Sequence, residues 1–176
     1  MICIEKLTFG NFRVDSLDTF LRHQVVTECW RKTNGQWALQ PIAFVEDWDL
    51  EKLRANAREI LEGLGSGLLG YGAFEDGRLV GFITLDAKPL GSRGQYHQLI
   101  AFQVSQEHRG QGLGRRLFAR LCEEAKHLGA EKLYISAHSS RESQAAYRAL
   151  GCVEAQEIIP AIAREEPFDV QMEYVL

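Results

Sequence analysis

Cysteine pairs, long apolar runs and a leader pattern are all missing from this sequence. The 4 cysteines form no C-x-x-C pair, so their spacing predicts neither a zinc site nor a disulfide framework, and free thiols in a reducing compartment fit best. No stretch approaches the roughly 18 apolar residues of a membrane span, and the opening MICIEKLTFGNF lacks the charged and then apolar order of a signal peptide. We therefore expect a cytoplasmic protein.

An excess of positive charge is also absent. The chain has 20 Lys and Arg residues against 24 Asp and Glu residues, a formal net charge of -4. It therefore does not attract phosphate backbones or anionic membranes as a whole, and we expect neither nucleic acid nor a membrane as a partner. No repeat or linker tract divides the chain, whose 176 residues and 45% hydrophobic content predict a single domain over residues 1–176.

Hydrophobic periodicity predicts seven strands and four helices. The strands are expected at residues 2–7, 69–75, 79–85, 98–104, 133–137, 153–159 and 169–176, and the helices at residues 15–32, 49–64, 113–127 and 139–150. Asp76-Gly77 predicts a tight hairpin turn, and the apolar run at 98–104 predicts a central strand covered on both faces. Residues 159–168 are expected to form a mobile excursion. The pattern indicates an α/β fold.

A glycine-rich loop lies between the predicted central strand and the next helix. In Arg109-Gly110-Gln111-Gly112-Leu113-Gly114, three alternate glycines allow backbone N–H groups to approach an anion at the positive end of the helix dipole. Arg115 and Arg116 add local positive charge. No Gly-Lys-Ser/Thr follows, and Arg115 stands where a dinucleotide fingerprint needs glycine, so neither ATP nor NAD is indicated. A pyrophosphate site is the functional interpretation, and a tight turn built for packing is the alternative.

Two motifs in the second half of the chain carry a family resemblance. Arg109, Gly112 and Gly114 form Arg-x-x-Gly-x-Gly after a strand that ends in valine, which resembles the acetyl-CoA-binding motif of the GNAT N-acetyltransferase superfamily. The sequence AYRALG at 146–151 resembles that family's segment in which a tyrosine precedes Leu-Gly-Phe. The resemblance is best over residues 68–151. It implies a single-domain GNAT-like fold, with a mixed, mostly antiparallel seven-stranded sheet flanked by about four helices.

The resemblance implies acetyl-CoA as co-substrate and no metal. The backbone near Phe102 and Val104 would pair with the pantetheine amides, as an added strand would. The cofactor-binding loop would comprise Arg109 with the backbone amides of Gly110, Gln111, Gly112, Leu113, Gly114 and Arg115, which would hold the pyrophosphate. Ser140 stands where many members have Asn, which weakens a hydrogen bond to the pantetheine arm, and Cys152 replaces the usual Phe.

The implied chemistry is direct attack of an amine on the thioester carbonyl, without a covalent enzyme intermediate. Tyr147 is the predicted general acid, because a phenol with a pKa near ~10 is protonated at neutral pH and can donate to a developing thiolate. The alternative for Tyr147 is a buried aromatic on the inner face of a helix. The general base is left open among His138, His97, Asp86 and a water molecule held by backbone carbonyls.

The segment at residues 29–49 is the expected acceptor-binding wall. It contains Trp30, Trp37 and Trp48 together with several acids, and aromatic walls with carboxylates suit a protonated amine. The alternative is that the tryptophans anchor a helix pair to the sheet. The leading function is therefore an N-acetyltransferase for a primary amine of a small molecule, peptide or protein. A catalytically idle CoA-binding regulator and a protein-interaction module are the alternatives, and the last strand allows a homodimer.

Overall fold

The computed structural model describes residues 1–176, and nine strands and four α-helices follow one another along the chain. In chain order they are β1 (Ile2–Lys6), β2 (His23–Thr33), β3 (Gln36–Asp47), α1 (Leu50–Leu64), β4 (Leu68–Glu75), β5 (Arg78–Leu90), β6 (Tyr96–Val104), α2 (Leu113–His127), β7 (Lys132–Ala137), α3 (Arg141–Leu150), β8 (Val153–Glu154), α4 (Pro160–Glu165) and β9 (Val170–Val175). No helix is both long and apolar enough to span a membrane.

Seven strands form one sheet in the order β1-β4-β5-β6-β7-β9-β8, and β2 and β3 pair separately as a long hairpin. All neighbours in the large sheet are antiparallel except β6 and β7, which are parallel and joined through α2. A parallel pair requires such a crossover, because a tight hairpin can join only antiparallel strands. The predicted seven-stranded, mostly antiparallel α/β fold is confirmed.

The parallel pair in the centre of the sheet is incomplete. Strand β6 pairs with β7 only where Tyr96 to Leu99 face Lys132 to Ile135. Beyond this point β6 continues to Val104, paired with β5 alone. The register against β5 also shifts, so that Ile100 has no partner residue there. The second half of β6 thus leaves one backbone edge without a neighbouring strand.

Two hydrophobic clusters hold helices against opposite faces of the sheet. The apolar stripe of α2, including Leu117 and Leu121, packs with Ile83 and Leu85 of β5. On the other face, Ile60 and its neighbours on α1 pack with Phe82. Side chains alternate along β5, because successive residues of a strand point to opposite faces. Helix α2 and helix α1 therefore lie on different sides of the central strands.

The prediction of a helix over residues 15–32 is wrong. Residues 14–19 form turns and β2 begins at His23. The apolar spacing that favoured a helix includes Leu21 and Val25, which are 47% and 56% exposed and so belong to no buried stripe. The decisive local signal is Asn34-Gly35, where both residues have positive φ, as a two-residue hairpin turn requires.

The end of the chain differs from the prediction in a similar way. The strand expected at 153–159 has only the two residues of β8, and the excursion at 159–168 contains α4. Pro160 stands in the first turn of that helix, where its missing N–H is not needed. Glu157 fixes the preceding segment, since its carboxylate accepts hydrogen bonds from Ser92 and Gln95. Four helices are present, but one of them is not among the four predicted.

Candidate active site

The glycine loop presents a row of free backbone donors at the start of α2. Gly110 and Gly112 have φ of +73° and +78°, and a Cβ at either position would meet no atom within 4 Å. None of the backbone N–H groups of residues 110–115 donates a hydrogen bond within the chain, and α2 has no side-chain cap. Free amides in this conformation, at the positive end of a helix dipole, are suited to binding an anion.

The loop lies beside the unpaired half of β6. A Cβ on Gly114 would lie 3.4 Å from the Phe102 ring, so glycine allows α2 to begin close to the strand. The centroid of the Phe102 ring lies 6.2 Å from that of Tyr147, in an edge-to-face arrangement. The structure thus brings Phe102, Gly114 and Tyr147 together, and their contact with a cofactor stays a prediction.

Three polar side chains of the loop brace it against the rest of the fold. Arg109 donates to the carbonyl oxygens of Val104, at 3.0 Å, and His23, at 2.8 Å, and so ties the end of β6 to the start of β2. Arg115 donates to the carbonyl oxygen of Ala149 on α3. Gln111 donates to the carbonyl oxygen of Glu107, which lies just before the loop. These side chains hold the backbone amides in place, and a direct contact of Arg109 with a cofactor stays a prediction.

Tyr147 has the properties of a proton donor. Its ring is partly buried in the cluster beneath α2, and its hydroxyl makes no hydrogen bond within the chain. Burial, with smaller contributions from Cys152 and Asp169, raises the pKa of Tyr147 above its usual value. The phenol is therefore protonated at neutral pH and its O–H is free to donate.

Ser140 is occupied by structural contacts. Its hydroxyl oxygen accepts the backbone N–H of Ser143 and so caps α3, and Gln24 donates to the same oxygen at 3.3 Å. The residue is fully buried and forms a backbone bridge with Cys29 of β2. The contact with a pantetheine arm stays a prediction, and would require the side chain to leave these partners.

The three side-chain candidates for the general base differ in their hydrogen bonds and in their exposure. The backbone N–H of Ser140 donates to Nδ1 of His138, so neutral His138 carries its hydrogen on Nε2 and has no free lone pair for a proton. Nδ1 of His97 lies 3.0 Å from the carbonyl oxygen of Asp86, but His97 is only 4% exposed. Asp86 uses one carboxylate oxygen to accept the N–H of Lys88 and lines an open cleft. Of the three, Asp86 is the one that lines this cleft.

That cleft lies between α1 and strands β4 to β6, with a volume of about 270 Å³. Its lining residues are Trp48, Asn56, Glu59, Ile60, Gly63, Ser66, Leu68, Phe82, Thr84, Asp86, Ile100 and Ala101. Ile100 and Ala101 belong to the half of β6 whose edge is unpaired. The cleft and the glycine loop therefore adjoin the same stretch of strand.

The tryptophan-rich segment is divided between two places. Trp37 lies on the β2–β3 hairpin, where its indole N–H donates to Glu154. Trp30 also belongs to the hairpin, and its backbone N–H donates to Ser139 beside the start of α3. Trp48 alone of the three lines the cleft. The alternative that the tryptophans anchor a helix pair is wrong, because Trp30 and Trp37 lie on a β-hairpin. The acceptor-binding wall stays a prediction, for which Trp48 is the tryptophan that borders open space.

Sequence analysis missed Arg22, which supports Trp48. The Arg22 guanidinium lies 5.6 Å from the centre of the Trp48 ring, and its Nη2 lies 3.4 Å from a carboxylate oxygen of Glu46. Two of its nitrogens, Nε and Nη1, are buried without a partner. Burial lowers the pKa of Arg22, while Glu46 acts in the opposite direction. No local sequence pattern marks this residue, because its partners are contributed by β3 and the turn before α1.

Comparison with known families assigns the chain to a class. The Acetyltransferase (GNAT) family model matches residues 27–152. The chain therefore belongs to the GNAT acetyltransferase family, and the resemblance seen in the sequence is confirmed. It is accordingly an acetyltransferase. The comparison with curated protein sequences gives no match.

Solved structures share the fold along almost the whole chain. Nourseothricin acetyltransferase superposes with a TM-score of 0.72 at 16% identity, over 99% of this chain and 98% of that one. A putative streptothricin acetyltransferase from Bacillus anthracis str. Ames, in complex with acetyl coenzyme A, gives a TM-score of 0.68 at 17% identity, covering 100% and 98%. YhbS from Escherichia coli, a GNAT family N-acetyltransferase in complex with CoA, gives 0.61 at 17%, covering 99% and 81%. At these identities the similarity establishes the fold.

Proposed function

We propose that this acetyltransferase transfers the acetyl group of acetyl-CoA to a primary amine by direct attack, without a metal. The observation that carries the proposal is the row of free amides at residues 110–115 beside the unpaired edge of β6. A donor row at a helix N-terminus suits a pyrophosphate, and a free strand edge suits the amides of an extended arm. The pyrophosphate and the pantetheine arm of CoA would thus each face complementary backbone groups. No cluster of three or more His, Cys, Asp or Glu side chains is arranged to bind a metal ion.

The bound thioester would supply the activated acetyl group. The chain's own contribution is to orient it: residues 110–115 would bind the pyrophosphate, and the backbone at Phe102 and Val104 would bind the pantetheine arm. The register shift at Ile100 interrupts the pairing with β5, so a backbone group there could polarise the acetyl carbonyl. Ser140 would contribute only if its side chain turned away from its present partners.

Tyr147 would provide the proton for the departing thiolate. Its hydroxyl has no partner within the chain, and its ring touches the groove at Phe102. Asp86, at the cleft, would accept the proton that the amine loses, either directly or through water. Direct attack requires both a base for the amine and an acid for the departing thiolate.

The first experiment is a thermal-shift titration with acetyl-CoA and CoA, followed by an amine screen. Ligand at about a hundred times its dissociation constant should add roughly 2.7 kcal/mol to the free energy of unfolding. We expect Tyr147→Phe to keep the shift but to lower kcat by about 10² or more. Tyr174→Phe is the control, because Tyr174 lies in the same cluster and contacts Phe118.

Three outcomes separate the candidate functions. If Tyr147→Phe abolishes transfer and Tyr174→Phe retains it, the acetyltransferase mechanism is supported. Binding of acetyl-CoA without transfer to any amine in the screen would favour the idle regulator. No shift up to millimolar acetyl-CoA would contradict the cofactor site and favour the interaction module.

The remaining proposals concern the location of the enzyme, its oligomeric state and its number of domains. Four free thiols support a cytoplasmic location. Strand β8 pairs with only Met172 and Glu173 of β9, which leaves part of an edge for a homodimer. The two clusters on one sheet support a single domain over residues 1–176. Light scattering of the purified protein tests the dimer.

A further inference from the structure

The charged side chains that line the cleft between α1 and the sheet are all negative. Glu59 and Asp86 are the only charged residues among those that line it. Glu59 forms no ion pair and no hydrogen bond, although Lys and Arg residues elsewhere on the surface pair with carboxylates. A carboxylate left without a partner beside an open cleft attracts a cationic ligand.

Helix α1 directs this charge toward the cleft. Asn56, Glu59, Ile60 and Gly63 follow one another at the spacing of a single helix face, and all four line the cleft. Ile60 is buried against the sheet, so the register of the face is fixed by the core. Gly63 allows this face of the helix to lie close to Leu68, since a Cβ there would lie 2.7 Å from the Leu68 side chain. Glu59 is thus held above the cleft by the packing of its own helix.

The other side of the cleft approaches the reaction centre. Ile100, which has no partner residue on β5, lines it together with Asp86. Trp48 adds an aromatic wall, and aromatic rings attract ammonium groups. The volume of about 270 Å³ lies near the small end of the range for ligand pockets, roughly 300 to 1,000 Å³. The cleft therefore suits a small molecule rather than a folded protein.

We infer that the acceptor is a small amine with at least two positive charges, of which one is held by Glu59 while the other amine reacts at β6. This inference rests on the proposed acetyl transfer and deepens it by naming the substrate class. One ammonium would lie between Glu59 and Trp48. The second, after losing a proton toward Asp86, would attack the acetyl carbonyl near Ile100. The amine nitrogen forms the new N–C bond, the C–S bond breaks, and the thiolate takes its proton from Tyr147.

The test compares linear diamines of four to eight carbons with monoamines of equal length. We expect the better diamines to exceed their matched monoamines by up to about fivefold in kcat/KM at low salt, since an ion pair at a partly exposed site contributes up to about 1 kcal/mol. Glu59→Gln should remove this preference by raising KM for the diamine while kcat stays the same. Glu62→Gln is the matched control on the same helix, because Glu62 does not line the cleft.

The outcomes distinguish this inference from the proposed function. Equal kcat/KM for diamines and monoamines, or an equal effect of Glu62→Gln, would overturn the dication preference while acetyl transfer itself stands. Transfer only to amines that carry one charge would overturn it as well. Failure of acetyl-CoA to bind in the thermal-shift titration would instead remove the proposed function, and the inference with it.

Discussion

Gly112 offers a direct test of the anion-binding loop, because the chain contains a matched glycine elsewhere. Gly112 and Gly77 share a φ of +78°, and a Cβ at either position would meet no atom within 4 Å. Replacement by alanine should therefore strain the backbone equally at both sites. Left-handed backbone costs an L-residue about 1–2 kcal/mol, which for a chain of this length lowers Tm by roughly 2–8 °C. Gly77 lies in the β4–β5 turn and is not part of the loop, although Glu75 of β4 contacts His108 just before it.

The two variants should differ only in ligand binding. A methyl group on Gly112 would project into the space beside the free amides and disturb at least one hydrogen bond to the pyrophosphate. A hydrogen bond to a charged group contributes about 1.5–3 kcal/mol, so Gly112→Ala should weaken acetyl-CoA binding tenfold or more. Gly77→Ala should bind as the wild type does. Calorimetric titration measures both affinities, and equal affinities in the two variants would refute the assignment of the loop.

Two further predictions concern stability. Ser140→Ala should lower the free energy of unfolding in urea by about 1 kcal/mol because α3 loses its cap. A loss of acetyl-CoA affinity in the same variant would reveal the predicted pantetheine contact. Burial raises the pKa of Cys122 to about 11 and, with help from Cys122, that of Cys152 to about 12. The stability that each buried thiol contributes is fully present below the unfolded pKa of about 8.5 and falls as the pH rises toward the folded pKa. Between pH 9 and 10, the free energy of unfolding should therefore fall by about 1 kcal/mol for each thiol. Cys152→Ala should roughly halve this thiol-dependent slope, and an unchanged slope would contradict the assignment.

Local signals predicted the parts of the fold that depend on local chemistry. The Asp76-Gly77 turn, the helix that follows the glycine loop and the apolar run of β6 each carry their own residue pattern, and the structure has all three. Residues 15–32 mislead because their apolar residues coincide with a helical period while Val25 and Val26 favour a strand. Only the pairing of β2 with β3 decides between the two, and that pairing is not visible in either segment alone.

The cleft shows why part of the site lay beyond sequence analysis. Its lining comes from α1, β4, β5, β6 and the turn at Trp48, which meet only in the folded chain. No pattern in the sequence distinguishes Glu59 from the other carboxylates on exposed helix faces. Asp86 and Tyr147 could be named, because one ends a predicted strand and the other lies in a family motif. That Asp86 borders the cleft, and that Tyr147 lies beside Phe102 of β6, required the structure.

The β2–β3 hairpin has a consequence for engineering. It carries the residues that lead into Trp48, and it also holds the start of α3, through the bridge between Cys29 and Ser140 and the hydrogen bond from Trp30 to Ser139. Helix α3 in turn carries Tyr147. A chimera that exchanges this hairpin for another would alter the predicted acceptor wall and shift the proposed proton donor at the same time. We therefore expect a graft to work better when α3 is transferred with the hairpin.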